Sequence, residues 1–220
     1  MVPVSDKRLI FIGAGGHATS MLETALASGY VIEGLVSPKL NQDIDVPYPI
    51  FEAVPVGYLE SGGLLSIAVG DNFLRERVWQ GLKDQGAKIE QFPTLIHPSA
   101  SVAKNAIIAP AVCVLQGAVI GSRATLAFGS LANSGSIIEH ECVIDEFSSI
   151  GPGAVLGGKV HVGTRSAISI GAVVKHGVVV GSDSVVGAGS YVHSDIGSEV
   201  VAYGSPARRI RDRRTGERYL

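Results

Sequence analysis

Cysteine is scarce in this chain, with two among 220 residues. Cys113 and Cys142 are too few for a disulfide framework or a metal-binding cluster. Both read as reduced thiols of a cytoplasmic protein. Charge is scarce as well: 17% of residues carry it and the net value is -2. That balance gives no basic surface for nucleic acid or an anionic membrane. No apolar run approaches the ~20 residues a membrane-spanning helix needs. The apolar run after Met1-Val2-Pro3-Val4-Ser5-Asp6-Lys7 is too short for a signal peptide. What the chain does have is apolar residues, at 46%, enough for a sizeable core. It also has 28 glycines, concentrated in its second half.

A repeat accounts for those glycines. Written in sixes from Leu95, the second position is aliphatic at all seventeen steps, from Ile96, Val102 and Ile108 to Val180, Val186 and Val192. The sixth position is mostly small, as in Ala100, Ala118, Ser130, Cys142 and Ala154, and glycine recurs at the third, as in Gly121, Gly151 and Gly157. A helix would show a period near 3.6 and a plain strand a period of two. A period of six means a short flat strand, then a corner. Three sixes close one triangular coil, and coils stack at the strand spacing of roughly 4.8 Å. The expectation is a left-handed parallel β-helix over 95–220, with aliphatics inside and small residues at corners where a Cβ is unwelcome.

Residues 1–94 follow another pattern. Arg8 to Ile12 reads as a strand running into Gly13-Ala14-Gly15-Gly16-His17 and a helix from about Ala18 to Ser28. Val31–Val36 and Leu64–Val69 read as further strands, and Asp71–Gln85 as a helix with Phe73, Val78 and Leu82 inward. Strand, glycine turn, helix, strand is a Rossmann-like α/β half unit. Glycines in such a turn let a phosphate approach the amides at the helix start; a tight turn without ligand is the plainer alternative. Ala18 fills the last glycine position of the dinucleotide fingerprint, and Leu35-Val36-Ser37-Pro38 offers no acid for a ribose. A nucleotide sugar is favoured over a redox cofactor.

These features resemble the bacterial nucleotide-sugar acetyltransferases of the PglD, PerB and NeuD type. The marks are Gly13-Ala14-Gly15-Gly16-His17, Gly70-Asp71-Asn72 with Arg75, Asn133, and Ile138-Glu139-His140-Glu141-Cys142. The ending Gly204-Ser205-Pro206-Ala207-Arg208 resembles that of many hexapeptide acyltransferases. The resemblance implies acetyl transfer from acetyl-CoA to an amino sugar on a nucleoside diphosphate. It also implies a homotrimer with sites between neighbouring β-helices. On the substrate side it implies Gly13, Gly15, Gly16, His17, Asn72, Arg75 and Asn133. His17 and Asn133 would contact the sugar, and Arg75 would face the phosphates or lie on a solvated helix face. For acetyl-CoA it implies backbone groups of Gly158, Ile170 and Ala188, although Ala188 stands where glycine is expected and Ser149 where some relatives carry histidine. Arg165, Lys175 and Arg208 are candidate phosphate partners. Ser37-Pro38 occupies the place of an Asp pair often found in UDP-binding relatives, so UDP, dTDP and GDP stay open.

His140 has a reading from register alone. It is fourth in its six, near a corner, and Ser122 and Gly158 stack on it eighteen residues away. Gly158 leaves a notch where a thioester arm fits. An amine attacking a thioester must lose a proton, and a histidine is a suitable base; a surface histidine on a turn is the alternative. Glu141 stacks between Arg123 and Lys159, either as a ladder of surface charges or, by the resemblance, as the partner that orients His140. His97, His161 and His193 read as surface residues. His176 lies two coils from His140, roughly 9.5 Å by strand spacing. That pair raises a zinc site of the γ-carbonic anhydrase type, but Gly181 stands where its third histidine belongs. A non-catalytic scaffold would need neither the glycine turn nor His140. The reading is therefore N-acetyl transfer to the 4-amino group of a 4-amino-4,6-dideoxyhexose, with no metal. O-acetylation of a related nucleotide sugar or sialic acid is the alternative.

Overall fold

The computed structural model describes residues 7–38 and 45–219. Residues 1–6, on which the leader expectation partly rests, lie outside them. The α/β unit runs β1 (Arg8–Ile12), α1 (Gly16–Ala27), β2 (Val31–Val36), β3 (Ile50–Phe51), β4 (Leu64–Ile67) and α2 (Asn72–Asp84). The four strands are parallel, in the order β3-β2-β1-β4. α1 starts at Gly16, two residues earlier than expected, with extended Gly15 as its N-cap. α2 is capped by the Asp71 carboxylate, which accepts from Leu74 N–H at 2.9 Å. Its most buried side chains are Leu82, Asn72 and Arg75, whereas Phe73 is only half-buried. β3 escaped the sequence reading, since two residues between Pro49 and an exposed loop carry no periodicity.

Seventeen two-residue strands, Leu95–Ile96 through Tyr191–Val192, build the β-helix. From Leu95–Ile96 to Val173–Val174 each pairs in parallel with the strand eighteen residues on, as Thr125 with Val143 and Val143 with His161. The second-position column is sealed inside: from Val114 to Val192 no member is more than 1% exposed. Each such aliphatic contributes about 1.5–3 kcal/mol on burial. The first coil is open at its end, so Ile96, Val102 and Ile108 are only partly covered.

The small sixth-position residues do not sit at the corners as expected. Ala118, Ser130, Cys142 and Ala154 are fully buried and point inward beside the column. They are small because the prism is narrow. Ser148 and Ser166 hydroxyls donate to the carbonyls of Gly163 and Gly181 at 2.8 and 2.6 Å, which satisfies them inside. The corner itself is made at the fifth position, in left-handed backbone. Gly117, Gly129 and Gly135 take it, and so do Arg123, Glu141, Phe147, Lys159 and Arg165 at φ of 56–62°. Third-position glycines are required for space: a Cβ on Gly121 or Gly157 would lie 2.6 Å from the backbone of the next coil.

The β-helix has one covered face and two open ones. Leu95, Cys113 and Leu131 point out from the covered face and join Phe11, Ala18 and Met21 in one core. Beside it, Phe92, Phe128 and Phe147 pack on Ile12, Leu65 and Leu82, with Trp79 4.8 Å from the Phe128 ring. At the far end the hairpin Val200–Gly204 and Ala207–Asp212 extends the covered face alongside Val185–Val186. The chain then turns back over the β-helix towards α2.

Candidate active site

The glycine turn is shaped by contact and by openness. Gly13 has φ +116°, and a Cβ there would lie 2.8 Å from the Ala68 carbonyl oxygen. Gly15 and Gly16 are the reverse, for a Cβ on either meets nothing within 4 Å. Gly15 caps α1 without a side-chain hydrogen bond, so no side-chain oxygen occupies the helix start, where an anion can approach the backbone. β1 lies between β2 and β4, and the loops leaving β1 and β4 bound the crevice where parallel α/β sheets bind ligands.

A cavity of about 610 Å³ opens there, between the α/β unit and the corner that follows the covered face. It brings together His17, Asn133, Ile170 and Ala188 of the expected residues. It adds Gly70, Ser149 and Tyr219, which the sequence reading did not assign to the site. Asn133 donates its side-chain amide to the Ile150 carbonyl at 2.8 Å, which fixes its orientation. His17 is half-buried, but its Nε2 is sealed from solvent and has no hydrogen-bond partner among the described residues. Burial, then the positive charge of Arg75, lowers its pKa to about 4. At neutral pH it is an uncharged imidazole with one unmet polar atom.

His140 stands on the next corner, after Ile137–Ile138. Its Nδ1 lies 3.0 Å from Glu141 Oε2, and a Cβ on Gly158 would sit 2.3 Å from its Nε2. Glu141 also meets Arg123 at 3.0 Å and Lys159 at 3.9 Å. The hydrogen bond with His140, helped by the charges of Arg123 and Lys159, outweighs the opposing desolvation and holds its carboxyl below the usual carboxylate range. An ionised Glu141 accepts from Nδ1–H and leaves Nε2 as the basic nitrogen, facing the Gly158 notch. The cavity residues Asn133, Ile170 and Ala188 occupy a different corner, so one chain keeps the two halves apart.

Residues 8–82 match the PglD N-terminal domain family. The chain is 30% identical to PerB from Caulobacter crescentus, solved in complex with CoA and GDP-perosamine, over 92% of this chain and 97% of that one, at a TM-score of 0.84. It is 31% identical to the acetyltransferase domain of PglB from Neisseria gonorrhoeae FA1090, solved with acetyl coenzyme A, over 93% and 100% of the two chains, at a TM-score of 0.83. The chain belongs to the PglD and PerB family of hexapeptide-repeat sugar acetyltransferases. WeeI from Acinetobacter baumannii AYE, 20% identical at a TM-score of 0.80, shares the fold.

In this acetyltransferase two expected substrate residues are displaced from the cavity. Arg75 is 1% exposed, neither at a phosphate nor on a solvated face. It donates from Nε to Gly129 O at 2.8 Å, from Nη1 to Val69 O and Gly70 O at 2.9 and 3.0 Å, and from Nη2 to Phe147 O at 2.8 Å. Nη2 also reaches Asn72 Oδ1 at 2.7 Å, and Asn72 donates on to Arg165 O and Ser166 O at 3.1 and 3.0 Å. α2 turns both side chains onto the β-helix corners, where left-handed turns leave carbonyls needing donors. Burial lowers Arg75 to about 10, still a cation at neutral pH. Arg165 is not free for phosphate either, held by Asp183 Oδ1 at 2.8 Å and Glu76 at 3.1 Å. Lys175 and Arg208 are exposed. The His140 and His176 rings lean to 6.3 Å apart, closer than strand spacing alone gives. No group of three or more metal-ligating side chains occurs among the described residues, and no described helix is long and apolar enough to cross a membrane.

Proposed function

We propose that the acetyltransferase moves the acetyl group of acetyl-CoA onto the 4-amino group of a nucleotide-activated 4-amino-4,6-dideoxyhexose in the cytoplasm. Acetyl-CoA-dependent sugar acetyl transfer follows from the family; the amine and the dideoxyhexose are supported by GDP-perosamine bound to PerB. The observation that carries the mechanism is His140, oriented by Glu141, with Nε2 facing the Gly158 notch. The sugar amine attacks the thioester carbonyl and the new C–N bond forms. His140 Nε2 takes the proton the nitrogen sheds. The tetrahedral intermediate collapses, the C–S bond breaks, and the imidazolium returns its proton to the departing CoA thiolate. Gly13, Gly15 and Gly16 receive the diphosphate, His17 and Asn133 hold the sugar, and Gly158, Ile170 and Ala188 present backbone to acetyl-CoA. Lys175 and Arg208, both exposed, are candidates to meet its phosphates.

The same reading includes a homotrimer. The His140 corner lies between the two open faces, where Val143 and Val179 on one side and Val173 and Tyr191 on the other are exposed. A neighbour packed there brings its own His17 cavity to this His140, and light scattering on the purified chain tests it. The reaction is tested by acetyl-CoA turnover against UDP-, dTDP- and GDP-linked 4-amino sugars. His140→Ala should lower kcat about 10²–10⁴-fold. Higher pH should partly restore the variant with an amine acceptor but not with a hydroxyl acceptor. Wild-type kcat in His140→Ala would sink the mechanism.

A further inference from the structure

The segment 213–219 returns from the end hairpin across the β-helix to α2, and its anchoring is specific. Arg213 is buried and donates from Nη1 to the Asp183 carbonyl at 2.8 Å. Thr215 donates to Glu199 at 2.9 Å, and Arg211 pairs with Glu217 at 2.6 Å. Gly216, at φ +79°, lies against Phe73 of α2, where a Cβ would come within 3.0 Å of the ring. The guanidinium of Arg213 then sits 5.5 Å from the centre of the Tyr219 ring. These contacts deliver one aromatic side chain, Tyr219, into the wall of the active-site cavity.

The Tyr219 hydroxyl is placed but poorly satisfied. It donates to Gly70 O at 3.4 Å and lies 3.5 Å from Ser149 Oγ. Good O–H···O bonds are about 2.7–2.8 Å. A substrate hydroxyl at ordinary hydrogen-bond distance would satisfy the phenol better than either of these long contacts. Gly70 follows β4 at the crevice that also holds His17, whose Nε2 has no partner among the described residues. Ile170 and Ala188, the acetyl-CoA candidates, belong to later coils of the same cavity. Burial keeps the phenol neutral, so it can both donate and accept.

We propose that Tyr219 is a specificity-determining residue of the nucleotide-sugar site, its hydroxyl hydrogen-bonding a hydroxyl of the sugar ring. This rests on the nucleotide-sugar reading above. A site that pairs a buried phenol with a substrate hydroxyl disfavours the analogue lacking it, because the phenol is then left unpaired. The test uses the full chain and the nucleotide 4-amino sugar that the wild type acetylates, with its 2-deoxy and 3-deoxy analogues. Tyr219→Phe keeps the ring and should leave the melting temperature and the KM for acetyl-CoA unchanged. It should raise the KM for the parent sugar about three- to tenfold, the loss of one ordinary hydrogen bond. For one of the two analogues the wild-type penalty in kcat/KM should shrink by the same factor in Tyr219→Phe. A purely structural tyrosine would not move that ratio. Wild-type turnover with both ratios unchanged in Tyr219→Phe, or equal rises in both KM values, overturns the assignment alone. No wild-type turnover on any nucleotide-linked amino sugar overturns the parent reading and this one together.

Discussion

Gly158→Ala isolates the placement of the base from everything else in the site. A Cβ at Gly158 would lie 2.3 Å from His140 Nε2, 2.5 Å from Cε1 and 2.9 Å from Cδ2. Ordinary contact between such atoms is about 3.5 Å, so the imidazole must retreat by roughly 1.2 Å. Gly158 is not among the positive-φ glycines, so alanine fits its backbone. The ring is the end of a side chain that is 47% exposed, and it can swing outward without disturbing the column. Stability should therefore change by less than about 0.5 kcal/mol, as for surface substitutions. Catalysis should not be spared. The swing pulls Nδ1 away from Glu141 and Nε2 from the attacking amine, and a misplacement of about 1 Å can cost 10²-fold. The assay is kcat at saturating acetyl-CoA and sugar nucleotide, which removes any added obstruction of acetyl-CoA binding. In a His140→Ala background the same change should lower kcat no further, since both act through one imidazole. A Gly158→Ala kcat within threefold of wild type would refute the notch as the place where the base works. So would a full further loss in the His140→Ala background.

Three other outcomes are set by the geometry. A Cβ on Gly15 meets no protein atom within 4 Å, so Gly15→Val should fold normally and raise the KM for the nucleotide sugar while leaving that for acetyl-CoA; equal rises would make the turn structural. Arg75→Met should cost about 3 kcal/mol or more in denaturant unfolding, because it leaves several buried carbonyls without donors. His17 makes the fold acid-sensitive: its pKa is about 4 when folded and 6.5 by reference, so the unfolded chain takes the proton first. Stability should fall as pH drops from 6.5 towards 4, by about 3 kcal/mol in all, and His17→Gln should flatten that part of the profile.

Legibility in the sequence tracked how far each feature repeats. The aliphatic column and the stacking of His140 on Gly158 recur every six or eighteen residues, so one strand of text reveals them. The inward direction of Ser130 and Cys142 did not show, because smallness serves a narrow interior as well as a tight corner. The fifth-position turn was hidden since Arg123, Phe147 and Lys159 share no chemistry, only a backbone shape. The resemblance put Arg75 at the phosphates, and a charged residue on a short helix is otherwise usually solvated. Only the docked β-helix supplies the carbonyls that bury it. Tyr219 meets Gly70 across 149 positions of sequence, a pairing with no local signature.

The eighteen-residue register works as a ruler on how this chain can change length. An insertion of six residues within the coils would carry every later residue round to the next side of the prism. Inserted between His140 and Gly158, it would put the base opposite a different strand. A whole extra coil would only shift the later coils along the axis, by roughly 4.8 Å, and keep each side chain on its own edge. Looped insertions at corners leave the count of the coils untouched. Homologues of altered length should therefore differ by bulges at corners or by complete turns, and engineered variants that respect that step should keep the hairpin and the 213–219 segment pointing the way they do.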